Sequence, residues 1–474
     1  MARRRKKRPG PPTEPSAEER TASPVPAWVG GAIRASWLLF AAGAAAVVIM
    51  QGALLGLIGA AVMVAATGLR MVARFRRDAD ARRTGAGVPS DPWSLPLGVA
   101  LIAAGATGLL YPALVEVETF REIVAAHPYG PFAAVALIVS GLLTLLDHLD
   151  RAAPSEPDFA VPDPPTLGEK LALINPLQIP LAVGAVFVPR LWQRVPLAMF
   201  LYESWVELDR EAVKEKEARR ERGEYDWRPL AVFCLGAVFL SLMEYFGHHP
   251  DLRDLVTAMN PPGEEATPFW ARALEIHEGP FGRLMSFMWW SGWRLLGFFL
   301  LPALVLKLLG ERIADHGLQV RGFASHAWIY GVLLIPVLVA VVGVSFEDSF
   351  KLYYPFYKAS ARSWYDFWAW EALYAVQFFS LEFFFRGFWV KASKSMMGSH
   401  AIFAMVVPYC MIHFGKPFPE TIAAILAGVV LGTLALRTRS IWSGFLIHVT
   451  VAISMDLAAL MQTTGLPTRF WPDL

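Results

Sequence analysis

The 474 residues of the chain are 55% hydrophobic, carry a formal net charge of +2 and include two cysteines. That apolar share, with a mean hydropathy of +0.41, exceeds what a soluble core of this length can hide from water, which excludes an ordinary soluble enzyme. The balanced charge gives no ground for a nucleic-acid partner, and Cys234 and Cys410, both inside apolar runs, leave neither a disulfide framework nor a cysteine-based metal site.

The apolar residues fall into separate runs of about 16 to 25, the length a helix needs to cross the hydrocarbon layer. The pattern predicts an all-α fold, a polytopic helical transmembrane bundle of about 8 to 11 spans. Arg3, Arg4, Arg5, Lys6, Lys7 and Arg8 open a tail over residues 1–26 that is expected to be disordered and cytoplasmic. No small-residue cleavage site follows a short apolar core, so the tail does not read as a secretory signal peptide.

Residues 27–150 read as N-terminal transmembrane helices. The block from Ala35 to Leu69 is long enough for two spans with a turn near Gln51 and Gly52. Arg70, Arg74, Arg76, Arg77, Arg82 and Arg83 follow it, on the cytoplasmic side by the positive-inside rule. A third span, Pro96 to Val115, leads to an acidic loop with Glu116, Glu118 and Glu122, and a fourth, Phe132 to Leu146, returns.

Residues 151–228 read as a cytoplasmic or interfacial linker region. Its stretch from Leu171 to Trp205 is apolar but broken by Pro176, Pro180, Pro189 and Pro196, which fits an interfacial or a re-entrant piece better than a span. The mixed charges from Glu207 to Arg222 read as a solvated helix face. Residues 229–474 form the main transmembrane domain. Its runs are Pro229 to Phe246, Phe281 to Leu308, Ala327 to Phe346, Phe367 to Val390, Ser399 to Phe414, Thr421 to Leu436 and Ile441 to Met461. Lys307, Arg312, Lys391, Lys394, Arg437 and Arg439 flank one side, with Glu264, Glu265, Glu347, Asp348 and Glu420 on the other, so the N-terminus is expected in the cytoplasm and the C-terminus outside.

A charge at the bilayer centre costs about 2.5 to 3.5 kcal/mol even on the lenient insertion scale, so each one within a span needs a reason. Glu382 and Arg386 stand at i and i+4 in an otherwise aromatic run, on one helix face. His413 closes the next span, and His448 lies in the last with Asp456 two turns on. Each alone is compatible with packing. Together a carboxylate and two histidines on neighbouring spans can activate water for attack on a carbonyl, or hold a metal.

The order Glu-x-x-x-Arg-Gly, aromatic-x-x-x-His and a final-span His, at Glu382, Arg386, Gly387, Tyr409, His413 and His448, resembles the CAAX-protease and bacteriocin-processing (CPBP) family of intramembrane endopeptidases. The family is also called Abi and includes the type II CAAX prenyl endopeptidases. The run from Leu431 to Trp442 resembles the family's connection between its last two spans. The likeness covers the core from Phe367 to Leu460.

The resemblance implies hydrolysis of a membrane-embedded or membrane-anchored, prenylated-like protein or peptide in the cytoplasmic (inner) cell membrane. Glu382 and His413 would activate water and His448 complete the site, with Arg386, Tyr409 and Asp456 supporting. No cofactor is expected. If a divalent metal such as zinc takes part, Glu382, His413 and His448 are its expected ligands, and no soluble-type H-E-x-x-H motif is present. Leu381 stands where the family usually has a first glutamate, and Ala452 where it has an asparagine, with Asp456 a turn beyond. These departures favour the alternative of a non-catalytic relative acting as a membrane scaffold or bacteriocin-immunity-type protein. A transporter is less favoured, since the chain has neither inverted halves nor paired broken spans.

Three further features belong to the reading. Glu244, His248, His249 and His277 are a weaker, external metal candidate, and Arg294 and Glu371 could pair with each other or orient Glu382 and Arg386. Gly428-x-x-x-Gly432, with Ala424 a turn before, is a small-residue stripe expected to bring helices close. The span boundaries put His413 several ångströms from the depth of Glu382 and His448, which tilt or shorter helices must close.

Overall fold

In the computed structural model the described residues are 27–49, 53–83, 93–127, 130–152, 196–248, 268–320 and 323–474, with short pieces at 91, 254–255 and 257–258. The expected tail, the turn at Gln51 and Gly52, most of the proline-broken stretch, and His249, Glu264 and Glu265 lie outside them. The described chain is helical, and its one β-bridge pairs Leu318 with Ser440. Among the described residues six helices are long and apolar enough to cross a membrane, and four shorter apolar ones accompany them. This is a multi-pass helical bundle, as the hydropathy pattern requires.

Two compact units emerge, one of residues 1–102 and 136–151 and one of residues 103–135 and 152–474. In the first, helices α1 (Ala27–Ile49) and α2 (Ala53–Arg83) pack along each other. Gly43 permits the contact, since a Cβ there would stand 2.7 Å from the carbonyl oxygen of Gly59. The basic cluster is in part structural. Arg70 is buried, lies 3.9 Å from the Trp37 ring and donates to Thr144, and Arg74 contacts Asp91 at 2.5 Å and Asp147 at 2.8 Å.

In the second unit, α3 (Pro196–Glu221) precedes the spans α4 (Arg228–Phe246) and Gly282–Leu308, the latter with a π-helical turn at Leu296–Leu300. The charged half of α3 is not simply a solvated face. Glu207 and Glu211, one turn apart on the same face, pair with Arg437 and Lys394, and Asp209 between them accepts from the backbone N–H of Ser399 at 2.7 Å, so acids of this helix hold three other segments. After Phe323–Val344 the chain reaches α5 (Trp364–Glu382), which continues as the π-helix Phe383–Val390 and then Lys391–Met397. Ser363 starts α5 by accepting from the N–H of Asp366. The last three helices are α6 (His400–Met411), α7 (Phe418–Thr438) and α8 (Trp442–Gln462).

The bundle is built around α5 and its π continuation. Phe383, Phe384, Phe385 and Phe388 are fully buried, and the ring of Phe298 stacks on Phe384 with centroids 4.6 Å apart. The small-residue stripe acts as its spacing predicts. A Cβ on Gly428 would stand 3.0 Å from Val406 and 3.2 Å from Tyr409, and one on Gly432 would stand 3.0 Å from Ile402, so α7 lies directly against α6.

Candidate active site

Glu382 ends α5 one turn before Arg386 in the π-helix, and both are almost wholly buried, at 1% exposure. The wide turn of a π-helix leaves backbone carbonyls out of the ordinary ladder and is often found at functional sites. Arg386 Nη1 stands 3.2 Å from Glu382 Oε1, so the i,i+4 pair expected from the sequence forms. Above the guanidinium lies the ring of Tyr409, 4.3 Å from Arg386 Cζ.

His448 enters from α8. Its Nδ1 is 3.0 Å from Glu382 Oε1 and 3.0 Å from the Gly444 carbonyl oxygen, both of which can only accept, so Nδ1 carries a hydrogen. Nε2 is then the acceptor for the Tyr409 hydroxyl, 3.0 Å away. Phe378 stacks on the imidazole with centroids 5.2 Å apart and fixes its plane. Gly444 is required here, because a Cβ at that position would collide with the Glu382 carboxylate. Although Arg386 Nη1 and His448 Nδ1 both approach Glu382 Oε1, neither has hydrogen-bond geometry, so this buried oxygen has no such bond from the protein.

His413 is held differently. Helix α6 spans only 12 residues, ending at Met411 rather than Phe414, a length of about 18 Å that falls short of the hydrocarbon thickness. His413 therefore lies just beyond the helix, in the turn that leads to α7. The His413 ring lies 5.0 Å from the Tyr409 ring, and its Nδ1 donates to the Tyr409 carbonyl oxygen at 2.8 Å. Thr421 donates to the His413 carbonyl oxygen at 3.0 Å, tying the turn to α7. The structure thus joins Glu382, Arg386, Tyr409 and His448 by direct contact, with His413 in contact through Tyr409.

Asp456 does not reach His448. It accepts from Trp370 Nε1 at 2.7 Å and neighbours Glu371, because two further turns of α8 carry it to the level of the first half of α5. Glu371 accordingly pairs with neither Arg294 nor Arg386, and the Arg294 guanidinium lies over the rings of Trp290 and Phe298. Glu244 contacts His248 at 3.4 Å on the exposed end of α4. Among the described residues no group of three or more His, Cys, Asp and Glu is arranged to hold a metal ion. Glu382, already against Arg386, and His448, whose Nε2 meets Tyr409, do not fit a shared ligand set with His413.

Two features escaped the sequence reading, namely the Tyr409–His448 hydrogen bond and the π-helix. The first had a partial signal, an aromatic residue one turn before a span-end histidine, and the second had none.

No curated protein and no solved structure matches the chain. Residues 362–454, the segment that carries Glu382, Arg386, Tyr409, His413 and His448, match the family model of the type II CAAX prenyl endopeptidase Rce1-like proteins.

Proposed function

We propose that the chain is an intramembrane endopeptidase that hydrolyses a peptide bond in a membrane-anchored, prenylated-like substrate, with Glu382 as general base. One observation carries the reading: Glu382 Oε1 is buried, lacks a protein hydrogen bond and stands 3.0 Å from His448 Nδ1. A carboxylate so placed takes a proton from a water whose oxygen attacks the scissile carbonyl, and later gives that proton to the leaving amine. Negative charge then develops on the carbonyl oxygen. His448, through its Nδ1–H, and Arg386 are the donors and positive charge closest to the base, and in a dry site such groups stabilise an oxyanion far better than in water.

Tyr409 holds His448 in the Nδ1–H form by donating to Nε2, and His413 keeps Tyr409 in place through its carbonyl. No step is routed through a metal. The family match at residues 362–454 supports a peptidase of this class, and the expected cytoplasmic N-terminus belongs to the same proposal. Leu381 and Ala452, both buried and apolar, favour a second reading as a non-catalytic scaffold, since they take the place of polar family residues.

The test uses the purified full chain in detergent with a farnesylated peptide ending in a CAAX-type sequence. Mass spectrometry in H₂¹⁸O should find one new carboxylate bearing the heavy oxygen. An intact peptide after prolonged incubation would contradict hydrolysis and leave the scaffold reading.

A further inference from the structure

The segment 311–320, between the Gly282–Leu308 span and Phe323–Val344, touches both helices that meet at the site. His316 is buried at 2% exposure and its Nδ1 donates to the Gly387 carbonyl oxygen at 2.8 Å, in the π-helix directly after Arg386. Gly387 is itself pressed on this segment, since a Cβ there would stand 2.5 Å from the His316 carbonyl oxygen. The next two residues turn to the start of α8. The Gly317 carbonyl oxygen accepts from the N–H of Ile441 at 2.9 Å. Leu318 bridges Ser440 and accepts from Trp442 Nε1 at 3.1 Å.

The far side of His316 is anchored too. Its Nε2 lies 3.6 Å from Glu311 Oε2, and Glu311 Oε1 accepts from Arg228 Nη1 at 3.1 Å. The contact with His316, followed by Arg228, holds the Glu311 carboxyl below its usual pKa.

We infer that residues 311–320 form a clip that sets the distance between the Glu382–Arg386 helix and the His448 helix, with His316 as its positioning residue. Its effect on turnover rests on the peptidase reading. The clip as a structural device does not. In the π-helix the Lys391 N–H, which a regular helix would aim at the Gly387 carbonyl, goes to the Arg386 carbonyl instead, and an imidazole from a neighbouring loop donates to Gly387. Without that bond the turn carrying Arg386 can relax into a regular helix, which rotates Arg386 and Glu382 relative to His448.

The test compares wild-type full chain with His316→Asn, His316→Gln and His316→Leu. The Asn amide nitrogen takes the place of Nδ1, whereas the Gln nitrogen takes that of Nε2. Against the farnesylated CAAX-type peptide, His316→Leu and His316→Gln should lower kcat by about tenfold to a hundredfold with KM little changed, the cost of misplaced catalytic groups. His316→Asn should restore kcat to within about threefold of wild type, because it restores the single bond to Gly387. Hydrogen exchange supplies a readout without substrate. Residues 383–390 and 440–444 should exchange faster in the Leu and Gln variants, with protection returning in the Asn variant. Unchanged exchange and unchanged kcat in His316→Leu, or equal behaviour of Asn and Gln, would overturn the clip. Variants that exchange as described, beside a wild type that cleaves nothing, would sink the peptidase reading alone.

Discussion

Tyr409 and His448 face each other across 3.0 Å, the phenol donating to Nε2 while Nδ1 of the same ring faces the Glu382 carboxylate. The bond couples the short helix α6 to α8 at the level of the acid. It decides which nitrogen of His448 carries the hydrogen, and the neutral ring cannot turn without losing one partner or the other.

Tyr409→Phe removes that donor and keeps the ring against the Arg386 guanidinium. We expect kcat to fall about tenfold to a hundredfold through loss of the His448 orientation, with the thermal midpoint nearly unchanged. Steady-state cleavage and a melting curve in detergent check it. A full retention of kcat would mean that the bond does not order the ring.

Gly444→Ala places a methyl against the Glu382 carboxylate. The clash should cost about 1 to 3 kcal/mol of stability, the usual penalty of overpacking, and cleavage should be lost with it. Gly428→Ala, where a Cβ meets the Val406 side chain at 3.0 Å, should be milder in both respects. Equal effects from the two would show that Glu382 moves aside freely.

Asp456→Asn keeps an acceptor for Trp370 and should leave kcat within about twofold, whereas Asp456→Ala strands the indole N–H and should cost about 1 to 3 kcal/mol in stability. Calorimetry and cleavage rates distinguish the two effects. A tenfold loss of kcat in Asp456→Asn with unchanged stability would return Asp456 to the chemistry.

The Asp226 carboxyl, outside the spans, tests the electrostatics of the α3–α4 junction. Burial raises its pKa, but hydrogen bonds from Arg228 and Ser395 outweigh this and hold it at about 2, below the ordinary 3.8. A carboxyl with a depressed folded pKa adds stability that is complete above the unfolded value and disappears as pH falls through the folded one. The stability difference between wild type and Asp226→Asn should therefore be constant above about pH 4 and shrink toward about pH 2. A difference that grows on acidification would reverse the assignment.

Hydropathy made the spans legible because burial in lipid demands long apolar runs, and the second half follows them closely. The run from Pro229 to Phe246 is helix Arg228–Phe246, and that from Thr421 to Leu436 lies within Phe418–Thr438. The run from Ser399 to Phe414 failed at its end, because the helix stops at Met411 and the remaining apolar residues form a turn against α7. Spacing placed Glu382 beside Arg386, since i and i+4 is a local relation. Which side chain meets His448 was not local. Helical period put Asp456 near its face, yet about 12 Å of rise separates eight residues, and Tyr409 from another helix took the place instead. His316 had no signal, because a lone histidine in a short loop acquires its role only from the carbonyl it meets.

The central claim is that Glu382 is the base, and Glu382→Gln tests it most directly because the amide keeps the shape and packing while losing the basic oxygen. Cleavage of the farnesylated CAAX-type peptide should fall to background, a loss of at least about a thousandfold, in a variant that still inserts and melts cooperatively. The Tyr409 ring 4.3 Å from Arg386 helps the guanidinium tolerate the lost counter-charge. Cleavage at the wild-type rate by folded Glu382→Gln would contradict the account.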